Sequence, residues 1–339
     1  MINQIDIFVA LNKECGKNLK EISDDYSVSI EQLKRAFKET NNPVVLHSYN
    51  KSKGELEIKE FIQSFGIDCY STKKFYNGKQ YEIDCFIPDL NLGIEFCGEY
   101  WHSTSTGTPK NYHKDKLIWC NEQGVELITI FQHEWHQKQE IIKSMIRHKI
   151  GKTPNKIFAR NTEIVEIDSH TAREFHENNH INGYINSKIN IGLKNKKNDE
   201  LVAVFSISKS RFDKSCKYEI TRFSTLLNHH IVGGLSKLVK YAKRFGSILT
   251  YVDLRFGSGK SYKLSGFETV YNIGQPNYFY FNNKSPTAKF QSRISFQKHK
   301  LKSIFPEIYE NHLTEKEIME KAGYLQIYDC GNSKLRLIE

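Results

Sequence analysis

Two short apolar segments joined by a tight turn constrain the fold of this chain most strongly. Residues 80–86, "QYEIDCF", and 92–97, "LGIEFC", are rich in the residues that favour strands. The connection between them, "IPDLN", carries the Pro, Asp and Asn typical of turns. Another strand candidate, 67–73, precedes them across "YNGK". Because the connections are turn-sized, we expect these strands to pair in one sheet.

Helical patterns flank these strands on both sides. Residues 52–66 repeat apolar positions with helical spacing, and Leu56 is among those expected on the buried face. A helix over 111–123 ends at a glycine, and "VELITIF" at 125–131 is a buried strand candidate. The predicted element order is therefore α-β-β-β-α-β, followed by a helix at 138–149.

Three carboxylates fall on neighbouring elements of this pattern. Asp84 and Glu95 lie on the two paired strands, so their side chains are expected to converge near one edge of the sheet. Glu55, on the preceding helix, would add a third carboxylate or hold a metal-bound water. Mg²⁺ prefers oxygen ligands, and a bound metal can activate water against a phosphodiester.

This order and these residues resemble the PD-(D/E)xK nuclease superfamily over about residues 52–135. The resemblance implies an αβββαβ nuclease core with a mixed sheet, in which Asp84 and Glu95 bind Mg²⁺ or Mn²⁺. A lysine two residues after the Glu activates water in that family. Here the sequence "EFC" places Cys97 at that position.

The strings "IDCFIPDLNLGIEFCGEYWHS" and "YHKDKLIWCNEQGVELITIFQHEW" resemble a narrower group, the very-short-patch-repair endonuclease branch and its phage-encoded homing endonucleases. That resemblance implies a His and an Asp in place of the usual Lys. Either His102 or His113 fits the histidine, with Asp115 as its partner. Lys114 and Lys116 are predicted to contact DNA phosphates.

The charge of the chain and its N-terminal segment favour a nucleic-acid partner. The net charge is +10 over 339 residues, as expected for a protein that binds a polyanion. Residues 18–38 resemble a helix-turn-helix, in which Val28 fills the angle between the helices and Ser29 caps the second one. The second helix would present Gln32, Lys34 and Arg35 to double-stranded DNA.

The C-terminal half shows a second mixed pattern. Its order over residues 160–282, β-α-β-β-β-loop-α-β-α-β-β, ends in strands at "ETVYNI" and "NYFYF" and resembles the GNAT N-acetyltransferase fold. That resemblance implies a mixed sheet with flanking helices and an acetyl-CoA site at the loop containing Gly233 and Gly234. A reused scaffold whose basic loops bind DNA is the alternative.

A basic, aromatic-rich segment follows over residues 278–302. Lysines and arginines can neutralise phosphates, and exposed rings can stack on bases. The aromatic run itself is also typical of a core strand. The DNA contacts predicted in this segment are Lys289, Arg293, Lys298 and Lys300.

The sequence as a whole predicts an α/β (α+β) protein of three parts, namely 1–48, 49–152 and 153–339. No apolar run approaches the ~20 residues of a membrane span, no signal peptide is evident, and the seven cysteines include no CxxC pair. These features favour a cytoplasmic protein. We expect a metal-dependent homing endonuclease acting on phage or host DNA, with a homodimer as one route to cutting both strands. The alternatives are an acyl-CoA-dependent transferase or DNA-modifying enzyme with a vestigial nuclease half, and a DNA-binding regulator.

Overall fold

The computed structural model describes residues 52–76, 79–282 and 290–338, together with Ser23, residues 27–32 and Arg35. It is a mixed α/β structure, which confirms the predicted class.

The chain forms two compact units that alternate along the sequence. The first takes residues through Gly98 and then Asp115–Gln132, and the second takes Glu99–Lys114 and the residues from His133 onward. The chain therefore passes from one unit to the other three times. The predicted division into 1–48, 49–152 and 153–339 stays a prediction.

The first unit contains a four-stranded mixed sheet in the order β1-β2-β3-β4. The first three strands pair antiparallel, and β3 pairs parallel with β4. This is the predicted α-β-β-β-α-β order. Its elements are α1 (Lys53–Gln63), β1 (Tyr70–Tyr76), β2 (Lys79–Ile87), β3 (Leu92–Cys97), α2 (Tyr112–Glu122) and β4 (Glu126–Phe131).

The core of this unit lies between the sheet and the helices. Every residue of β3 is buried, since the strand is paired on both sides. Helix α1 contributes Ile58 and Ile62, which are four residues apart and share one face. Leu56, which was expected on that face, is 44 % exposed, because it lies two positions from Ile58 and points away from it.

The second unit is built on a seven-stranded sheet in the order β12-β16-β11-β9-β8-β7-β6. Strands β6 to β9 pair antiparallel in sequence order, and β9 then pairs parallel with β11. Strand β16 pairs antiparallel with both β11 and β12. The sheet strands are β6 (Thr162–Glu166), β7 (Ile189–Asn195), β8 (Leu201–Lys209), β9 (Tyr218–Thr225), β11 (Ile248–Asp253), β12 (Glu268–Tyr271) and β16 (Asn332–Leu337).

Several further elements lie between these strands and before them along the chain. They are α3 (Gln132–Gln137), α4 (Gln139–Lys149), β5 (Asn155–Phe158), α5 (Ser169–Asn179), β10 (His229–Val232), α6 (Gly234–Ala242) and α7 (Lys260–Leu264). Strands β5 and β10 form a separate two-stranded parallel ladder. None of the helices in the described ranges has the length and apolar character needed to cross a membrane.

One predicted strand belongs to a different sheet. "NYFYF" was expected to end the C-terminal sheet, but β13 (Tyr278–Asn282) lies in a three-stranded sheet with β14 (Gln291–Ser292) and β15 (Tyr324–Tyr328). Tyr280 packs there in a small core that also includes residues of α8 (Lys298–Ile304) and α9 (Glu315–Lys321). In the seven-stranded sheet, β12 is instead paired with β16, which also pairs with β11.

Candidate active site

Strands β2 and β3 diverge at the point where their two acidic residues lie. Their last paired residues are Cys85 and Ile94, and one step further the register would place Asp84 opposite Glu95. Beyond that point a side chain links the two strands, because Asp84 Oδ2 accepts a hydrogen bond from the backbone N–H of Phe96 at 2.8 Å. The carboxylate of Asp84 is therefore held directly against the backbone that carries Glu95.

Glu95 is buried, at 4 % exposure. On its other side β3 pairs with β4, where Thr129 is the residue in register. Its Oε1 is engaged, but no hydrogen-bond partner reaches its Oε2 from any residue that the structure describes. A buried carboxylate oxygen without a partner is costly, so this oxygen can serve as a ligand atom for a bound cation.

The partner of Glu95 Oε1 is Lys116, which extends from α2 and forms an ion pair with it. Lys116 is 1 % exposed. The sequence predicted a contact between Lys116 and DNA phosphates, and in the structure its ammonium lies in the interior beside the acidic residues. Lys114, two residues earlier, is half-buried.

The burial of Lys116 was predictable in part from helical spacing. It lies beside Leu117 and four residues before Cys120, both of which are buried, so it occupies a core position of α2. A lysine in such a position requires a buried anion, since an unpaired buried charge is strongly unfavourable. The sequence alone does not reveal that the anion is Glu95.

The acidic groups raise each other's proton affinity. Burial raises the pKa of Asp84 well above its usual range, and the negative charges of Glu95 and Glu55 add to the increase, whereas Lys116 opposes it. Burial also raises the pKa of Glu95, and Lys116 again acts in the opposite direction. Asp84, Glu95 and Glu55 thus lie close enough for their charges to disfavour ionisation in this group, and Lys116 partly offsets that effect.

Glu55 reaches this region from the first turn of α1. It completes a capping box with Ser52: the Ser52 hydroxyl accepts from the N–H of Glu55 at 3.3 Å, and Glu55 Oε1 accepts from the N–H of Ser52 at 3.3 Å. Gly54 allows close approach to β3, because a Cβ there would lie 2.3 Å from Cζ of Phe96. The first turn of α1 is therefore packed directly on the strand that carries Glu95.

The donor set fits a hard divalent cation. Asp84, Glu95 and Glu55 supply only carboxylate oxygens, which Mg²⁺ and Mn²⁺ prefer. The oxygen of Glu95 without a partner and the mutual repulsion of the carboxylates are both features that such an ion would relieve. These residues therefore offer the kind of donor atom that the predicted metal prefers.

The two candidate histidines lie close together in the second unit. The rings of His102 and His113 are stacked, with their centroids 5.0 Å apart and their planes 22° apart. His102 is half-buried, whereas His113 is 2 % exposed and its carbonyl accepts from the thiol of Cys330 at 3.6 Å. Asp115 is half-buried in the first turn of α2.

The described part of the predicted helix-turn-helix agrees with its local pattern. Val28 is buried, at 6 % exposure. Ser29 caps the second helix: its hydroxyl accepts from the N–H of Gln32 at 3.2 Å, and the Gln32 amide oxygen accepts from the N–H of Ser29 at 3.0 Å. Gln32 and Arg35 are exposed, while Lys34 lies outside the described residues.

The C-terminal basic segment is largely engaged with its own fold. Arg293 Nε donates to Glu315 Oε1 at 3.2 Å, although its side chain remains 56 % exposed. Lys298 Nζ donates to the carbonyl of Asn311 at 2.9 Å, and Lys300 Nζ donates to that of Ile294 at 2.6 Å. Lys289 lies outside the described residues.

The two glycines of the loop predicted to hold acetyl-CoA have different structural roles. Gly233 has a left-handed backbone, with φ of 76°, at the start of α6. A Cβ on Gly234 would lie 2.8 Å from Cγ2 of Ile231. In the next turn, Lys237 Nζ donates to the carbonyl of Ala159 at 2.8 Å. These contacts account for the glycines without a bound cofactor.

Comparison with known proteins places few constraints on the chain. No protein-family model matches it. Part of the chain is similar to the uncharacterized protein 033L of Invertebrate iridescent virus 3, with 28 % identity over 94 residues. The match covers 23 % of this chain and 48 % of the viral protein, so the chain spans about half the length of this relative.

Proposed function

We propose that the protein is a metal-dependent endodeoxyribonuclease, of the homing type, that hydrolyses phosphodiester bonds in phage or host DNA. The observation that carries this proposal is the group formed by Asp84, Glu95 and Lys116. Two carboxylates are held together at the divergence of β2 and β3, one of their oxygens lacks a partner among the described residues, and a buried ammonium lies beside them.

Each of these side chains has a distinct role in the proposal. Asp84 and Glu95 would hold Mg²⁺ or Mn²⁺, with Glu55 as a further carboxylate. When bound, the metal would polarise the phosphate and lower the pKa of a bound water. Lys116 opposes the effect of burial on the pKa of Glu95 and would orient its carboxylate, and it would supply the positive charge that Cys97 does not provide on the strand. His102 and His113 stay as candidates for the proton-accepting group.

Cleavage of genomic DNA tests this proposal directly. Purified protein is incubated with phage and host DNA in Mg²⁺ or Mn²⁺, and the new ends are mapped by sequencing. We expect discrete ends with the wild type and none with Asp84→Asn. The control is Glu82→Gln, which neutralises a half-buried carboxylate on the same strand. DNA binding without cleavage under every metal condition would instead favour a regulator.

Substitution of each histidine tests which of the two accepts the proton. His102→Asn and His113→Asn are compared for cleavage rate across pH at saturating metal. Loss of the pH-dependent limb in one variant alone identifies that histidine as the proton acceptor. Equal rates for both variants and the wild type exclude a direct role for either ring.

A transferase is a second candidate, favoured by one feature of the second unit. Strands β9 and β11 pair in parallel at only three positions, from Tyr218 with Ile248 to Ile220 with Thr250, and α6 connects across them. A parallel pair that separates after a few residues offers a place for an extended ligand beside the sheet. Calorimetric titration with acetyl-CoA, repeated on Gly233→Ala, tests this candidate. We expect no binding if both glycines serve packing alone.

A further inference from the structure

The turn between β8 and β9 presents an exposed aromatic ring among positive charges. Phe212 is 72 % exposed, so its ring is accessible to a partner. Within "KSRFDKSCK", residues 209–217, four exposed cations accompany it. They are Lys209, Arg211, Lys214 and Lys217, of which Arg211 also pairs with Glu219 and Lys214 also donates to the carbonyl of Ser210.

The single acidic residue of this turn is already neutralised. Asp213 forms an ion pair with Lys334 of β16, and its Oδ1 accepts from the N–H of Ser215 at 2.7 Å. The hydroxyl of Ser210 donates to the carbonyl of Asp213. These bonds fix the backbone on both sides of Phe212, so the ring is held outward by an ordered turn. An ordered site loses little conformational entropy when it binds.

We propose that this turn binds a nucleic-acid strand that has an unstacked base, with the cations on phosphates and Phe212 on the open base face. The positive charges favour any polyanion. The Phe212 ring favours a single strand over a duplex, because stacking requires a base face that a regular duplex does not expose. This inference rests on the proposed function, since it concerns the same polymer, but it assigns binding to the second unit rather than to the nuclease site.

Binding of a labelled oligonucleotide tests the role of the ring. The full chain is titrated, in EDTA, against a short fluorescent oligothymidylate and against a perfectly paired duplex with hairpin-closed ends. We expect Phe212→Ala to weaken binding of the single strand by about tenfold and to leave duplex binding within about twofold. Phe212→Trp retains a stacking ring and should bind like the wild type. Equal affinity of Phe212→Ala and wild type for the single strand would overturn the proposal.

Salt dependence tests the cations separately. Lys209→Gln combined with Lys217→Gln should lower the slope of log affinity against log salt by about 1.4, since each contact with a single-stranded phosphate contributes ~0.7. The control combines Lys316→Gln with Lys321→Gln on α9. It makes the same change in net charge, but its lysines are already paired with Glu320 and Glu310. An equal fall in slope for the control would contradict a specific role for the turn.

The outcome is separable from that of the nuclease proposal, because binding is measured without metal. Absence of cleavage with intact binding that depends on Phe212 refutes only the nuclease assignment. Cleavage with binding that is independent of Phe212 refutes only this one. Thermal unfolding of each variant shows whether a loss reflects misfolding, and Phe212→Trp provides a folded comparison.

Discussion

Lys116 reaches across from α2 to form an ion pair with Glu95 on β3, and both side chains are almost fully buried. The ammonium compensates the one carboxylate whose other oxygen has no partner among the described residues. This relationship joins the stability of the first unit to its proposed chemistry, because the same two groups serve both.

Neutralising Asp84 should abolish cleavage without weakening the fold. Burial and Glu95 raise the pKa of Asp84, so keeping this carboxyl group ionised costs free energy in the folded protein. Asp84→Asn removes that penalty and keeps an oxygen that can accept from Phe96. We expect a cleavage rate at least about a hundredfold lower and a free energy of unfolding equal to or above that of the wild type, measured by urea denaturation. A large loss of stability would show that Asp84 is mainly structural.

Removing the ammonium should be costlier than removing the whole pair. Lys116→Met leaves Glu95 buried without compensation, at a cost of about 3–5 kcal/mol in the free energy of unfolding. The double variant Lys116→Met with Glu95→Gln leaves no buried charge and should recover much of that loss. Urea denaturation of the two single variants and the double variant provides the coupling energy. Additive effects would mean that the two side chains do not interact in solution.

The two functions of Glu55 are separable. Ser52→Ala removes the acceptor for the N–H of Glu55 and should cost about 1 kcal/mol while cleavage persists. Glu55→Gln keeps an oxygen for the N–H of Ser52 but loses the negative charge. We expect stability within about 0.5 kcal/mol of the wild type and clearly slower cleavage, with a higher Mg²⁺ concentration needed for half-maximal rate. Unchanged metal dependence in Glu55→Gln would confine this residue to its capping role.

The close contact between Gly54 and Phe96 should make the stability of the fold sensitive to any side chain at position 54. Gly54→Ala places a methyl group 2.3 Å from the Phe96 ring, and overpacking of this kind costs about 1–3 kcal/mol. Phe96→Leu in the same chain opens space for that methyl and should restore part of the stability. Thermal unfolding of both single variants and the double variant measures this. No rescue in the double variant would argue against a direct contact.

His176 should make the second unit sensitive to acid. Burial, with a smaller effect of Arg222, lowers the pKa of His176 from 6.5 to about 4. Its ring bridges the hydroxyls of Ser224 at 2.8 Å and Ser206 at 2.9 Å while it is neutral. The unfolded chain binds the proton below about pH 6.5, so this contribution to stability is complete above that pH and is lost as pH falls towards 4.

The measurement is urea denaturation at several pH values between 4 and 7.5. Each pH unit in the window should cost up to about 1.4 kcal/mol per group. His176→Gln should reduce the slope by about one proton, although His180, whose pKa burial also lowers, retains its own contribution. Identical slopes in the variant and the wild type would exclude His176 as a source of the pH dependence.

Local patterns were sufficient for most elements of the first unit. Turn residues and alternating apolar positions predicted β2 and β3 to within two residues, because backbone geometry and turn chemistry act over short stretches of chain. The same patterns placed Asp84 and Glu95 on adjacent strands. The capping by Ser29 of the second helix in the predicted helix-turn-helix was likewise predictable, since it depends on residues three positions apart.

Only the tertiary structure decided which distant groups meet. Lys116 was predicted to contact DNA phosphates, whereas its burial depends on Glu95, a carboxylate that lies on another element. Strand β16 lies between β11 and β12 although it follows both in sequence, and "NYFYF" lies in another sheet. Local sequence determines helices, strands and turns through short-range geometry. Strand order and charge compensation depend on contacts between remote segments, which periodicity does not encode.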